Sequence, residues 1–577
     1  MKGPWRLRGA LDFLLIWIFK RGRESRLADH PVLRKLTAYK MTKPVLYIIT
    51  GMLLVSVVAG SCRKKLADLY YDPDQTVQPS IEKFFTEMLN SDRVRPSYWN
   101  IRTFVVMHSG IYTQSVGYLN TTTEYQQNAG YTQDRWNDFY RPGTAADGGN
   151  GGIMAHYRLI ESLYGSIKDE QLKRNAEVFL MAAKVVMLDH ASQMVDMWGD
   201  IPFTEAGTVS TSGDIVVAKF DDASTIYDAI FEGLKNAALY FSGTLLTTTS
   251  HASFSKQDIL LNGQFDKWQR YANSIRLRLL MRLSFVNEAK AKTEVLNIID
   301  NPALYPLIDG ASNYTPQLTD VLLQPLTTYA DDLHNALSEV FNYSAPDHML
   351  NAVMKPCNDP RIPVLFDKYG RTEGDQFIPN TDYNALPVLY NAEQQQVNLG
   401  RYAIVDSATF LFNSKLPGIV ITAPEVNFLK AEARERWGGG DAGAAYETAV
   451  RQSIVFYYYL NSLNTVTRMP LTQPVAAAID TFLQSDQMKY AGTANEKLAK
   501  IWVQKWLHFG FLQSVQSWAE YRRTKYPVLQ FYPSTLPGYE WPPSRLVYPS
   551  SETSYNTNYA TVKDKDVRTG RVFWDVK

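Results

Sequence analysis

The sequence predicts a mostly α-helical protein, and three observations predict it. Long segments carry apolar residues at helical spacing. Two of them are joined by a glycine-rich turn into a helical hairpin, and no strand-rich or linker-like block divides the chain beyond residue 80. With 577 residues, 45% hydrophobic and 20% charged, the chain has the material for a sizeable core.

The N-terminal part reads as an address rather than as fold. From Met41 the sequence offers Lys43, an apolar run from Val45 to Val58, and the small residues Ala59, Gly60 and Ser61 directly before Cys62. The run is shorter than the roughly 20 residues needed to span a bilayer. A small-residue triplet ending at cysteine resembles a bacterial lipobox, in which the thiol receives diacylglycerol and the chain is cut before it. On this reading residues 41–61 are a lipoprotein signal peptide, Cys62 is the lipid attachment site, and 62–79 form a lipidated tether with turns at Asp72-Pro73-Asp74 and Pro79. Residues 1–40, with a basic and apolar patch from Trp5 to Arg23, read as an extension upstream of a start at Met41. Residues 80–577 read as a single domain.

Within that domain Ser80 is placed to cap a helix over Ile81–Leu89. Residues 91–152 are rich in aromatics, Asn, Thr and Gly without clean periodicity, and predict long ordered loops with short helices. Helical spacing returns from Tyr157 to Met197 and stops at Gly199 and Pro202. A helix follows from Ser224 to about Leu239, with Ile226, Ile230 and Leu234 in line. Another begins near Asp266, with the stripe Trp268, Tyr271, Ile275, Leu279 and Leu283. Pro424 to Trp437 is a helix opened by proline in its first turn. The run Gly438 to Gly443 and a second helix through Ala445, Ala449 and Ser453 make it a hairpin of the kind stacked in tetratricopeptide-like arrays. A last helix covers Glu496 to Phe511, after which repeated prolines predict a mostly irregular stretch from Tyr526 to Lys577.

Composition narrows the function. A net charge of +1, from 59 basic and 58 acidic residues, gives no global field toward nucleic acid or an anionic bilayer. Two cysteines build neither a disulfide framework nor a cysteine zinc site, and the eight histidines show no metal-ligand spacing. Gly438, Gly440 and Gly443 spell a dinucleotide fingerprint, but they follow a helix and not a strand. Asp196 and Asp200 are the nearest approach to a hydrolase pair, and a turn consumes such acids readily. No catalytic residue, metal or cofactor is expected.

The 13% aromatic content is more than a core alone usually consumes, and surface Tyr and Trp rings make good ligand platforms, with planar polar groups beside them to reach a ligand's hydroxyls. Residues 91–152 supply both: Trp99, Asn100, Tyr112, Tyr118, Tyr125, Tyr131, Trp136 and Tyr140, with Gln126, Gln127 and Asn128 interleaved. Trp99, Asn100, Tyr131 and Trp136 are the candidate ligand contacts. Rings that merely pin an irregular loop to a helical body would read the same way. A lipid-anchored glycoside hydrolase and a peptide-binding scaffold are the rival functions.

Eight runs then carry a resemblance. DMWGDIPFTEA (196–206), FDKWQRYANSIRLRLLMRLS (265–284), NDPRIPVLF (358–366), APEVNFLKAEARERW (423–437), IWVQKWLHF (501–509), WAEYRRTKYPVL (518–529), RLVYPSSE (545–552) and VFWD (572–575) resemble, in order, stretches of the SusD/RagB family, nearest to its SusD-like group 2 branch. The resemblance implies a SusD-like fold with tetratricopeptide-like helix pairs and an irregular second lobe. It also implies a non-catalytic, lipid-anchored outer-membrane protein that captures a nutrient, often an oligosaccharide, as the lid of a SusC-like TonB-dependent transporter. Surface-exposed members often carry acidic residues after the lipid cysteine, whereas Arg63, Lys64 and Lys65 stand here. The shared motifs themselves look structural, with Arg522 and Arg523 expected to pair with buried acids such as Glu425, Glu432 or Glu520.

Overall fold

Ser80 opens the first helix as expected: its hydroxyl accepts from the Lys83 N–H, and Ile81, Phe85, Met88 and Leu89 turn one face of α1 (Ile81–Leu89) into the core. The computed structural model describes residues 80–141, 151–208, 216–310, 313–325, 333, 335–336, 344–464 and 470–577. The readings of residues 1–79, Cys62 among them, lie outside it. All described residues belong to one compact unit, Pro79–Lys577.

The segment expected to be mostly loop contains two substantial helices. Tyr98–Asn100 runs directly into α2 (Ile101–Gly110), a wide π-helical stretch, and Ala129–Tyr140 forms α3. Their buried faces mix Ile101, Phe104, Val105, Trp136 and Phe139 with Thr103, His108, Ser109, Thr132 and Arg135, and the polar members blur the apolar period. His108 ties the two together. Its Nδ1 lies 2.6 Å from the Thr103 carbonyl, which can only accept, so Nε2 is left to accept from the Asn128 N–H at the cap of α3.

The single stretch predicted over 157–197 is two helices, α4 (Ile153–Ser166) and α5 (Glu170–Trp198). Asp169 separates them, its carboxylate accepting the N–H groups of Gln171 and Leu172 at the start of α5. From Val185 to Trp198 nearly every residue of α5 is buried. This is why α5 is long and apolar enough to cross a membrane by composition, while 78% of its most apolar window is buried inside the protein.

Around α5 pack α6 (Ala223–Gly243), α7 (Thr248–Gln257) and α8 (Phe265–Arg282), followed by α9 (Glu288–Asp300). The hairpin is formed by α10 (Ala423–Trp437) and α11 (Ala442–Ser462), the closest-packed helix pair in the molecule. Gly438 and Gly439 take φ near +76° and +80°, and Asp441 caps α11. Beyond α12 (Ala476–Leu483), Thr493 and Glu496 cap each other at the start of α13 (Ala494–Phe509), and α14 (Ser514–Thr524) returns against α2. Among the described residues strands form only short antiparallel pairs, such as Gly370–Glu373 with Gln376–Pro379 and Val321–Leu323 with Gly418–Ile421.

The C-terminal stretch is irregular as predicted, and it acts as a seal. The Leu546 N–H donates to the Met197 carbonyl, the Tyr548 hydroxyl to the Asp200 carbonyl, and the Trp574 indole to Asp196 Oδ1. Asp196 also takes the Tyr227 hydroxyl, so it serves side-chain donors. Asp200 accepts a backbone N–H, that of Ala223.

Shared motifs meet in a buried charge network. Arg523 forks onto Glu432 at 2.7 and 2.8 Å and reaches Glu520 at 2.7 and 3.0 Å. Lys505 bonds Glu520, and Arg282 reaches it at 3.0 Å. Glu425, the third acid suggested for the arginine pair, is taken by Arg278 instead. Arg522 also departs from expectation. It donates to the Ser544 carbonyl and lies 3.9 Å from the Trp518 ring centroid, with no carboxylate within ion-pair reach among the described residues.

Three buried histidines make the fold acid-sensitive. Burial lowers His508 from 6.5 to about 3 and His108 to about 4, and holds His190 well below its ordinary value. The unfolded chain then binds these protons first, so their contribution is present above about 6.5 and is lost as the pH falls toward 4. Urea unfolding between pH 7.5 and 4.5 is expected to show falling stability with a slope of up to three protons. A flat profile over that range would contradict the neutral buried imidazoles.

Candidate ligand-binding site

The helical turn Tyr98–Asn100 holds one candidate out and the next one in. Trp99 is 45% exposed, and its indole N–H donates to Asp134 Oδ2 at 2.9 Å. Tyr131, one turn earlier on α3, stands edge-on to it with ring centroids 5.6 Å apart. Arg102 lies 5.7 Å from both centroids and donates to the Tyr131 hydroxyl at 2.8 Å. Trp99, Tyr131 and Arg102 therefore form one braced aromatic shelf.

Asn100 and Trp136 present no such face. Asn100 is 4% exposed and spans two partners, donating to Asp138 Oδ2 at 2.7 Å and accepting from Arg135 at 3.2 Å. Trp136 is 2% exposed, boxed by Tyr140, Trp198 and Tyr548 with centroids 4.8, 5.2 and 6.0 Å away. Its place as a direct ligand contact is corrected by burial. A ring enclosed by one tilted and two edge-on neighbours, and 2% exposed, has no free face for a sugar.

The remaining polar and aromatic residues of this stretch mostly pin it to the body. Tyr125 donates to the Tyr532 carbonyl, Tyr140 to the Pro202 carbonyl, and Gln127 pairs with both the N–H and C=O of Val547. Tyr112 is wholly buried, Tyr118 is half-buried, Gln126 is exposed, and Asn128 caps α3.

Beside Trp99 opens a groove of about 390 Å³, lined by Glu87, Asp92, Asp134, Asn137, Asp138 and Arg141 among others. Sequence reasoning missed these carboxylates because they come from three separate segments. Burial raises the Asp138 carboxyl, against the lowering by Arg93 and Arg135. An exposed indole over carboxylates and an amide suits a polyhydroxylated ligand: an apolar face for C–H groups and acceptors for hydroxyls. The suspected pair Asp196 and Asp200 is elsewhere, occupied by Tyr227, Trp574, Ala223 and Lys565. Cys357 is buried, and burial pushes its thiol up to about 12. Among the described residues no three His, Cys, Asp or Glu side chains are grouped to hold a metal ion.

Comparison with known proteins places this arrangement. No curated protein is similar enough in sequence to match. Among solved structures, a chitin-binding protein is 20% identical with a TM-score of 0.65, covering 86% of this chain and 99% of its own. A SusD-like protein from Bacteroidetes AC2a is 22% identical with a TM-score of 0.62, covering 87% and 100%. A SusD homolog from Bacteroides fragilis is 19% identical with a TM-score of 0.63, covering 86% and 100%. At these identities the likeness is one of fold. A family model, SusD-like group 2, described as starch-binding and associating with the outer membrane, matches residues 81–549. Matched over most of its length, the chain belongs to the SusD-like family.

Proposed function

We propose that the protein is a non-catalytic, lipid-anchored capture protein for an oligosaccharide nutrient, acting as the lid of a SusC-like TonB-dependent transporter in the outer membrane. The observation that carries ligand capture is the exposed Trp99 ring, braced by Tyr131 and Arg102 over a groove of acceptors. Trp99 and Tyr131 supply the stacking surface, while Asn100 and Trp136 act from behind it as positioning residues. Family membership supports the outer-membrane setting, and the lipobox-like run ending at Cys62 supports the anchor.

A glycan array probed beside a peptide library tests the ligand class, and selective retention of glycans is expected. Selective peptide binding would favour a scaffold role, and release of reducing ends from a bound glycan would reveal a hydrolase. Cys62→Ala is expected to abolish labelling by a lipid precursor and to release the protein from membranes. Co-purification of a TonB-dependent barrel tests the lid role, and a protein isolated from membranes without one would count against it.

A further inference from the structure

Behind the groove, on the far side of Asn100, lies a separate cavity of about 60 Å³ walled by Arg93, Asn100, Arg135, Asp189 and His190. Arg93 and Arg135 are 6% and 5% exposed. Arg93 Nη2 is spent on the Arg135 carbonyl and on Met194 Sδ, and Arg135 Nη1 on Asn100. Arg93 Nε and Nη1, Arg135 Nε and both ring nitrogens of His190 have no hydrogen-bond partner in the protein. Among the described residues no carboxylate lies within 4 Å of either guanidinium, and Arg135 disfavours the charge on Arg93. Asp138 favours the charge on both, and Asp92 favours that on Arg135 as well.

Two buried guanidiniums that line one cavity, with unmatched donors and no carboxylate in ion-pair reach, favour an anion within bonding distance. Water would satisfy the donors but not the charge. The cavity is several times the roughly 10–15 Å³ that one water needs. One wall atom sets the chemistry further. Asp189 Oδ2 accepts from Tyr271, whereas Oδ1 is held by the 3.5 Å ion pair with Arg278 Nη1 and makes no short hydrogen bond, with Gln193 the other polar group beside this carboxylate. A halide would offer that oxygen no donor beyond the long contact with Arg278. An oxyanion bearing a hydroxyl would accept from the guanidiniums with its bare oxygens and donate to Asp189 with its O–H.

We propose that this cavity binds one small oxyanion carrying a hydroxyl, of the hydrogen phosphate or bicarbonate class, between Arg93 and Arg135 with His190 and Asp189 completing the enclosure. Half-buried Gln193, Leu512 and Val515 form the rim through which it enters. Because Asn100 accepts from Arg135 and donates to Asp138, the bound ion also braces the wall shared with the groove at Trp99.

The test is thermal unfolding of the purified protein, dialysed free of oxyanions, on addition of phosphate, bicarbonate, sulfate or chloride at equal ionic strength. The expected result is a saturable rise for phosphate or bicarbonate, about 1 °C per tenfold once the site is half filled, with sulfate and chloride at least tenfold weaker. Whichever of the two ions acts names the source. Arg135→Met is expected to lose the response and Lys235→Met, on the surface, to keep it. Equal rises for all four anions, or a full response in Arg135→Met, would overturn the proposal. Should Arg135→Met not fold, a crystal of the unaltered protein grown in the effective ion decides: an ordered oxyanion within hydrogen-bond distance of Arg93 and Arg135 upholds the site, and waters alone refute it.

Discussion

Arg523→Met is expected to destabilise the protein by about 3–5 kcal/mol, because it leaves Glu432 and Glu520 buried together without the guanidinium that joins them. The cost is that of stranding charge and not of losing one surface pair. Removing a partner with it should therefore be milder than the sum of parts. In Arg523→Met with Glu432→Leu, Glu520 retains Lys505 and Arg282, so the double variant is expected to fall short of additivity by at least about 1 kcal/mol. Urea unfolding of the two single variants and the double variant measures this. Additive losses would show that Arg523 and Glu432 are neighbours without being energetically linked.

The same network sets the acid limit of the fold. Burial by itself would raise Glu432, but Arg523 and Lys505 outweigh it and bring the carboxyl from 4.5 down to about 2. Glu520 is buried likewise and held well below its ordinary value by Arg523, Lys505 and Arg282. Both folded-state values are depressed, so their contribution is whole above 4.5 and is lost as the pH falls from 4.5 toward 2. That window begins at 4.5, inside the lower part of the histidine window, which opens at 6.5 and runs to His508 at about 3, so acid unfolding has two causes with the histidines acting first. Arg523→Met weakens the lower one, leaving Glu432 with Lys505 and Arg436 and Glu520 with Lys505 and Arg282.

What could be read from the sequence was whatever is local. Ser80 caps the helix it precedes, Gly438 ends the helix it follows, and the 3.6-residue stripe of Trp268, Tyr271, Ile275 and Leu279 faces the core. Arg523 was legible in kind, since a buried guanidinium demands a carboxylate, and two of its three suggested partners are the actual ones. Arg522, its neighbour, was not: it stacks on Trp518 and Trp574, and its position depends on the C-terminal seal. The helices α2 and α3 were hidden by their own chemistry, because their buried faces hold His108, Thr132 and Arg135. Within the candidate site, residue type could nominate Trp99 and Trp136 equally. What separates them is contact with Trp198 and Tyr548, residues far along the chain.

That separation gives the sharpest pair of substitutions. Trp136→Ala is expected to cost about 3–5 kcal/mol of stability, the loss for emptying a fully packed indole site. Trp99→Ala is expected to cost about 1 kcal/mol or less, because the indole is nearly half exposed and gives up one hydrogen bond to Asp134 and an edge contact with Tyr131. Binding should invert the order. A sugar stacked on Trp99 loses its main apolar contact in Trp99→Ala, worth about 2 kcal/mol or roughly thirtyfold in affinity. Trp136→Ala, assayed below its unfolding transition, should lose affinity only as far as α3 shifts Tyr131 and Asp134. Calorimetric titration with the glycan selected on the array, paired with thermal unfolding of both variants, reads the two effects independently. Unchanged affinity in Trp99→Ala would remove the ligand from this groove, whatever the fold of the protein that carries it.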